Sequence, residues 1–470
     1  MRYIVGFITS CAACAAVLAA QAQPDWPKVE EETLRHYQAV VRIDTSAKER
    51  AAAEYVKKVL DDNGVPAQML SSDPDRPNVV ARLKGNGRKR PLLIMGHLDT
   101  VTVDASKWKD HGPFSADRAA DGRIYGRGTV DDKDNLTAGL MTMLTLKRFA
   151  VPLDRDVIFL AESGEEGNSR IGIGFMVAQH FSDIDAEYCL AEGGDGIREK
   201  GQLKYVEVET TEKIPRGIEL VAHGISGHGS IPLKSNAVVH LAAAVGRIGE
   251  WRPDIKLNET TGTYFRKLST LTTGDQAKAY RDVLSTDPKI ARAADDWLFE
   301  HEPRHSSMLR TSVSPNIILG GYRSNVIPSE AKATLDVRMV PDEDRAAFLE
   351  QVKQIVNDPA VDVHYNNNAG AERPSPAAAR LDSELFRTVE AAVTKIYSAP
   401  TLPNMQTGAT DMAQVRARGM QCVGIGSAID VEDQVLGYGM HSDQERLLES
   451  ELYRFVRFNW EIVTALAAAR

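Results

Sequence analysis

Two histidines and five carboxylates stand along this chain where their types and settings could do metal chemistry. His97-Leu98-Asp99 closes one apolar run, Glu165-Glu166 follows a second, and Glu192-Gly193-Gly194 follows a third. Asp131 stands at a helix start after Gly126-Arg127-Gly128, and His441 lies in a late glycine-rich loop, Gly437-Tyr-Gly-Met-His-Ser442. Each has an ordinary explanation when taken alone: a capping His-Leu-Asp, two solvated loop charges, a helix cap, a turn. Their conjunction carries the argument, because imidazole and carboxylate together suit zinc or another borderline divalent ion.

The elements that must position these residues can be read from hydrophobic periodicity. Pro91-Leu-Leu-Ile-Met-Gly96, Asp156-Val-Ile-Phe-Leu-Ala161 and Glu187-Tyr-Cys-Leu-Ala191 are continuous apolar runs, as expected of strands buried on both faces. Leu136, Leu140, Met143, Leu144 and Leu146 mark a helical face behind Asp131 and Asp132, which suit an N-cap. Strands alternating with helices predict an α/β catalytic unit with a mostly parallel sheet flanked by helices. In open sheets of that kind the carboxyl ends of the strands line the binding crevice, so the motifs above should converge there.

From about Lys213 the pattern changes. Arg216–Ala222 and Ala331–Met339 alternate polar and apolar residues, the mark of half-exposed antiparallel strands, and a polar stretch of helical composition lies between them, about Trp251 to His305. From roughly Ser375 the α/β pattern resumes, with Gln421–Ile425 as a strand and Glu449–Ala468 as a closing helix. The expected organisation is a leader over 1–22, a first catalytic part over 23–212, an inserted α+β lid over 213–374, and a second catalytic part over 375–470.

The 470 residues carry 56 Lys+Arg and 65 Asp+Glu, a net charge of −9, with 43% hydrophobic and 26% charged residues. That is a folded chain too long for one core, and its acidity argues against a nucleic-acid partner. Arg2, the apolar run Ile4–Ala20 and the small-residue site Ala20-Gln-Ala22 predict a signal peptide cut after Ala22. A secreted or periplasmic protein with no stable membrane anchor is therefore expected. The leader takes Cys11 and Cys14. Cys189 and Cys422 remain, each in an apolar run, and they read as two buried free thiols, with a bridge between them as the alternative.

Longer blocks resemble a family. Gly96-His-Leu-Asp-Thr-Val101, Trp108, Pro113-Phe114 and Asp121-Gly-Arg-Ile-Tyr-Gly-Arg-Gly-Thr-Val-Asp-Asp-Lys133 look like the central block of the family-twenty metallopeptidases. That group includes carboxypeptidase S, aminoacylase-1, acetylornithine deacetylase and succinyl-diaminopimelate desuccinylase. Gly164-Glu-Glu-Gly167, Glu192-Gly-Gly194, Gly227-His-Gly-Ser-Ile-Pro232, Ser324-Asn-Val-Ile-Pro328, Asp336-Val-Arg338 and Gly408-Ala-Thr-Asp411 follow in order. The form of the third motif and the long insertion are most similar to the carboxypeptidase S branch. Two departures stand out: Asp134 where the family has glycine, and Gly164 where an acid often precedes the glutamate pair.

The resemblance implies two divalent ions per chain, zinc first, with cobalt or manganese as alternatives. Asp131 would bridge them, His97 and Glu192 would complete one site, and Glu166 and His441 the other. Asp99 would hydrogen-bond the far ring nitrogen of His97, and Glu165 would be the general base for an attacking water. The inserted domain, ferredoxin-like in this family, would supply His228 to the oxyanion and Asn325 and Arg338 to a substrate carboxylate, with Ala409 and Thr410 lining the same pocket. A homodimer is also implied, with His228 reaching a partner's site, and the alternative is a monomer whose long insertion covers that surface. The substrate would be a small peptide cleaved beside a residue with a free carboxylate, or alternatively an N-acyl amino acid. The remote alternative is a non-catalytic binding protein on the same scaffold.

Overall fold

A computed structural model describes residues 24–366 and 373–469. The leader therefore lies outside the described residues. No helix among those described is long and apolar enough to cross a membrane.

Two sheets organise the chain. At the centre of the larger one, the strands Leu92–His97, Val157–Glu162, Tyr188–Ala191 and Gln421–Gly424 run parallel. Every residue of the first three is buried, which accounts for their unbroken apolar sequence. Antiparallel neighbours extend this sheet, including the long strand Gln202–Glu212. Helix Lys133–Arg148 lies over it, and Gly139 is what permits the approach, since a Cβ there would stand 2.6 Å from the Phe159 ring. The closing helix Glu449–Ala467 adds Phe455, Phe458 and Val463 to the same core.

Between Gln202–Glu212 and its parallel partner Thr401–Gln406 the chain builds the second sheet. Its four long strands and two helices follow the order Ile218–His223, Ala237–Glu250, Ser312–Gly320, Glu330–Met339, Arg345–Val356, Val361–Tyr365. All its pairings are antiparallel, and Ser312–Gly320 forms one edge. This βαββαβ arrangement is ferredoxin-like. The helical stretch between its first two strands packs elsewhere: Tyr264, Phe265 and Leu268 join Leu402 and Met405 of the larger sheet.

The two cysteines differ from the free-thiol expectation. Cys189 and Cys422 are register partners on adjacent parallel strands, 4.4 Å apart at Cα, and form a disulfide. Strand pairing across 233 residues creates that proximity, and no local pattern announces it.

Candidate metal centre

The motifs converge beyond the carboxyl ends of the central strands. His97, the last residue of its strand, places Nε2 3.0 Å from Asp131 Oδ1 and 3.8 Å from Glu192 Oε2. His441 Nε2 lies 2.9 Å from Asp131 Oδ2 and 3.1 Å from Glu166 Oε1. Asp131 thus turns one oxygen to each imidazole and divides the donors into two sets that share it. Ligand atoms of His97, Asp131 and Glu166 fall within 4.8 Å of one another, as do those of His97, Glu165 and Glu192. Two imidazoles and three carboxylates in this grouping fit a pair of borderline divalent cations. The Asp131 and Glu166 carboxylates hold the His441 imidazole up at about 10. Cation binding at such a group must release a proton, so affinity falls as the medium is acidified.

Asp99 meets the far ring nitrogen of His97 and also a neighbouring backbone turn. His97 Nδ1 sits 3.0 Å from the Asp99 backbone carbonyl and 3.5 Å from its carboxylate. A carbonyl only accepts, so Nδ1 donates to it and Nε2 is the nitrogen turned to the cluster, where it would offer its lone pair to a bound cation. The Asp99 carboxylate also accepts the backbone N–H groups of Gly164, Glu165 and Glu166 at 2.9, 3.2 and 3.0 Å. A short side chain is drawn to this nest because three N–H groups point at one spot. The turn needs glycine at 164, where φ is +82° and a Cβ would lie 2.6 Å from the Asn168 carbonyl.

The Asp131 turn is fixed by residues that sequence reading did not single out. Arg127 and Glu445, both buried, form a 2.6 Å ion pair. Glu445 also accepts the Val130 N–H at 2.9 Å, and Arg127 donates to the His441 carbonyl at 3.3 Å. One pair therefore ties the bridging aspartate's turn to the His441 loop, where His441 itself adopts φ of 62°. Asp132 occupies the N-cap position without a side-chain cap bond. Its carboxylate accepts the His97 N–H at 3.0 Å and the Asn135 amide at 2.7 Å. Asp134 is buried two positions further along, and its carboxyl is pushed up to about 7 by that burial.

Glu165 points toward the His97–Glu192 side of the cluster. Burial, then the nearby Asp411, raises its carboxyl well above the usual range. Arg373 stands beside it, 3.5 Å from Glu165 Oε1 and 3.5 Å from Asp411 Oδ1. Thr410 is committed to the framework: its hydroxyl and N–H both donate to Glu212, and its carbonyl accepts from Arg373 at 2.6 Å. Ala409, beside it, is half-buried.

The remaining predicted residues lie on the smaller sheet and its ribbon. His228 pairs with Val326 across the ribbon, next to Asn325, whose carbonyl accepts the Gly229 N–H. Both are exposed, and the His228 ring contacts Ser230 at 2.7 Å. Arg338 forks onto Asp336 of its own strand at 2.8 and 3.2 Å. Among the described residues, no hydrogen bond or ion pair joins these three to the metal cluster.

Arg127 was visible inside a quoted motif, but its role depends on Glu445, which follows no motif. Arg373 precedes Pro-Ser-Pro and carries no local signal at all.

The pattern of peptidase family M20/M25/M40 matches residues 93–464. The chain is 29% identical over 329 residues to the probable carboxypeptidase S-like 2 of Dictyostelium discoideum, covering 67% of this chain and 60% of that protein. It is 28% identical over 331 residues to human N-fatty-acyl-amino acid synthase/hydrolase PM20D1, covering 68% and 64%. The chain thus spans less than two thirds of either relative's length. Among solved structures, the M20 family metallo-carboxypeptidase Sso-CP2 of Sulfolobus solfataricus superposes with a TM-score of 0.69 at 20% identity, covering 92% of this chain and 98% of that one. At that identity the likeness is one of fold.

Proposed function

The chain belongs to peptidase family M20/M25/M40, and on that premise we propose that it is an exported two-metal hydrolase. Its reaction is cleavage of an amide bond next to a residue with a free carboxylate, as in a carboxypeptidase or dipeptidase. The observation that carries this reading is the division of donors about Asp131, with Glu165 standing beside His97 and Glu192. His97, Asp131 and Glu192 would hold one ion and His441, Asp131 and Glu166 the other. Zinc is the proposed ion, and cobalt or manganese suits the same donors. Such ions, when bound, acidify water toward neutrality and polarise a scissile carbonyl.

The chain's own residues do the rest. Glu165 takes the proton of the attacking water on its carboxylate and delivers it to the leaving nitrogen, and its buried, high-lying carboxyl suits both halves of that exchange. Asp99 fixes the Glu165-Glu166 turn so that one side chain serves the reaction and the other the cluster. His228 is the proposed donor to the oxyanion, which requires closure of the ribbon or a second copy of the chain. The unpaired edge strand Ser312–Gly320, with Ile317, Ile318 and Leu319 all exposed, supports a homodimer. Export is supported by the apolar run before Ala22 and by a disulfide suited to an oxidising compartment.

An N-acyl-amino-acid deacylase uses the same machinery, and the likeness to the fatty-acyl-amino acid enzyme favours keeping it as the second reading. One experiment tests both. The zinc-loaded protein and Glu165→Gln are given pooled dipeptides, longer peptides and N-acyl amino acids, with products read by mass spectrometry. Wild type should cleave one class, and the variant should lose about 10²–10⁴-fold. Equal cleavage by the two proteins removes Glu165 from its role.

A further inference from the structure

The carboxylate that stands where the family has glycine is buried without a countercharge. Asp134 is 1% exposed at the head of helix Lys133–Arg148. Its Oδ2 accepts the Ser427 N–H at 3.3 Å, while Oδ1, equally buried, makes no hydrogen bond. Among the described residues no Lys, Arg or His forms an ion pair with it. Burial pushes its carboxyl up, as expected of a charge that nothing neutralises.

The oxygens around it are in the same condition. The Ser427 hydroxyl turns to Asp134 without closing a hydrogen bond of normal geometry. Thr137 follows three residues along the same helix, so its side chain neighbours that of Asp134, and its hydroxyl is also buried without a partner. Tyr397, the last residue of helix Glu384–Tyr397, adds another such hydroxyl. Burial first, then the Glu451 and Asp134 carboxylates, push the Tyr397 hydroxyl up, so it lies within reach of the Asp134 charge. Ser427 and Thr137 are 1% exposed and Tyr397 8%.

Buried polar groups have partners as a rule, so several without any in one corner mark the place of a ligand. Water satisfies hydroxyls but leaves a buried carboxylate without its countercharge. A set of oxygens with no nitrogen or sulfur among them suits a hard cation. One negative charge among neutral hydroxyls matches a monovalent ion rather than a divalent one.

We propose that Asp134, Thr137, Tyr397 and Ser427 hold an alkali cation, sodium or potassium, behind the candidate divalent centre. The ion braces the helix start that follows Asp131 against the 425–427 loop, where the Ile425 carbonyl already accepts the Asn135 amide at 3.2 Å. It also joins both to the end of helix Glu384–Tyr397. The usual glycine at 134 offers no such oxygen, so the site comes from the departure, and it stands whatever reaction the divalent centre performs.

The test compares salts. Wild type, Asp134→Asn, Asp134→Gly and Ser427→Ala, all zinc-loaded, are unfolded by heat in sodium, potassium or tetramethylammonium chloride at one ionic strength. Wild type should melt about 2 °C higher, saturably, in sodium or potassium than in tetramethylammonium, an ion too large to enter. Both Asp134 variants should lose the difference between salts, and Ser427→Ala should need more of the small cation to reach the same rise. A wild type with one midpoint in all three salts means that water alone fills the corner and overturns the proposal. So does an Asp134→Asn protein that keeps the full difference. Crystals of wild type soaked in thallium acetate give a reading that needs no variant to fold. An anomalous peak between Asp134 and Ser427 is expected, and its absence from that corner overturns the assignment.

Discussion

The two sheets treat their functional residues in opposite ways. On the larger sheet the turns that carry the cluster are held by buried carboxylates. Asp99 gathers three backbone N–H groups of the glutamate turn, Asp132 holds the His97 backbone, and Glu445 holds the Asp131 turn. On the smaller sheet His228 and Asn325 sit exposed on a ribbon of two-residue strands. On the proposed reading, the contrast is between a centre built before substrate arrives and a recognition surface that movement or a partner would complete. Cations demand the first, because donors a few tenths of an ångström out of place forfeit affinity. Substrate entry demands the second.

The comparison is broken most directly at Glu445. Glu445→Gln leaves the Arg127 guanidinium buried without its counter-charge, a loss of about 3–5 kcal/mol in unfolding free energy. Metal content should fall too, because the same carboxylate ties the Asp131 turn to the His441 loop. Denaturant unfolding and metal analysis of the purified variant check both. A variant of unchanged stability that still retains two ions would mean the larger sheet does not owe its rigidity to this pair.

A smaller effect comes from the junction of the two units. Lys213 is fully buried, with Nζ on the hydroxyls of Ser307 and Ser312 and, among the described residues, no carboxylate bonded to it. Burial pulls it down to about 7 from an ordinary 10.5. The unfolded chain therefore binds more protons than the native one between those values, so stability rises with pH across that window and is flat below it. From pH 7 to 9 wild type should gain on the order of 1–2 kcal/mol relative to Lys213→Met. Urea titrations at several pH values measure it, and parallel curves for the two proteins would show that Lys213 stays charged.

The same contrast explains what was legible beforehand. The cluster could be read because its residues end apolar runs or sit in glycine turns, and strand ends in an α/β sheet share one crevice. Its supports could not. Arg127 and Glu445 are 318 positions apart, Cys189 and Cys422 233, and Glu165 and Arg373 208; only the fold makes neighbours of them. Asp99 was singled out for its place beside His97, but that its carboxylate also serves the 164–166 turn depends on how two adjacent strands end side by side. The antiparallel strands of the smaller sheet were readable from alternation and their ferredoxin-like order was implied by the resemblance, whereas the docking of its helical stretch onto the larger sheet was not legible, since amphipathic helices do not name the surface they cover.

The gentlest perturbation sharpens the comparison furthest. His228→Ala removes an exposed ring, so stability should stay within about 0.5 kcal/mol and metal content should not change. Loss of an oxyanion donor should nonetheless lower kcat about 10²–10³-fold. The resulting protein would be folded, loaded and nearly inert, a state that the Glu445 variant cannot reach. Mixing it with Glu165→Gln then asks whose His228 serves which cluster. If the ribbon serves a partner's site, random pairing should restore roughly a quarter of the wild-type rate, because half the dimers are mixed and each has one intact site. If the ribbon closes on its own chain, every site in the mixture carries one defect and no activity returns. A His228→Ala protein of undiminished kcat would remove the ribbon from the chemistry altogether and leave the larger sheet sufficient for catalysis.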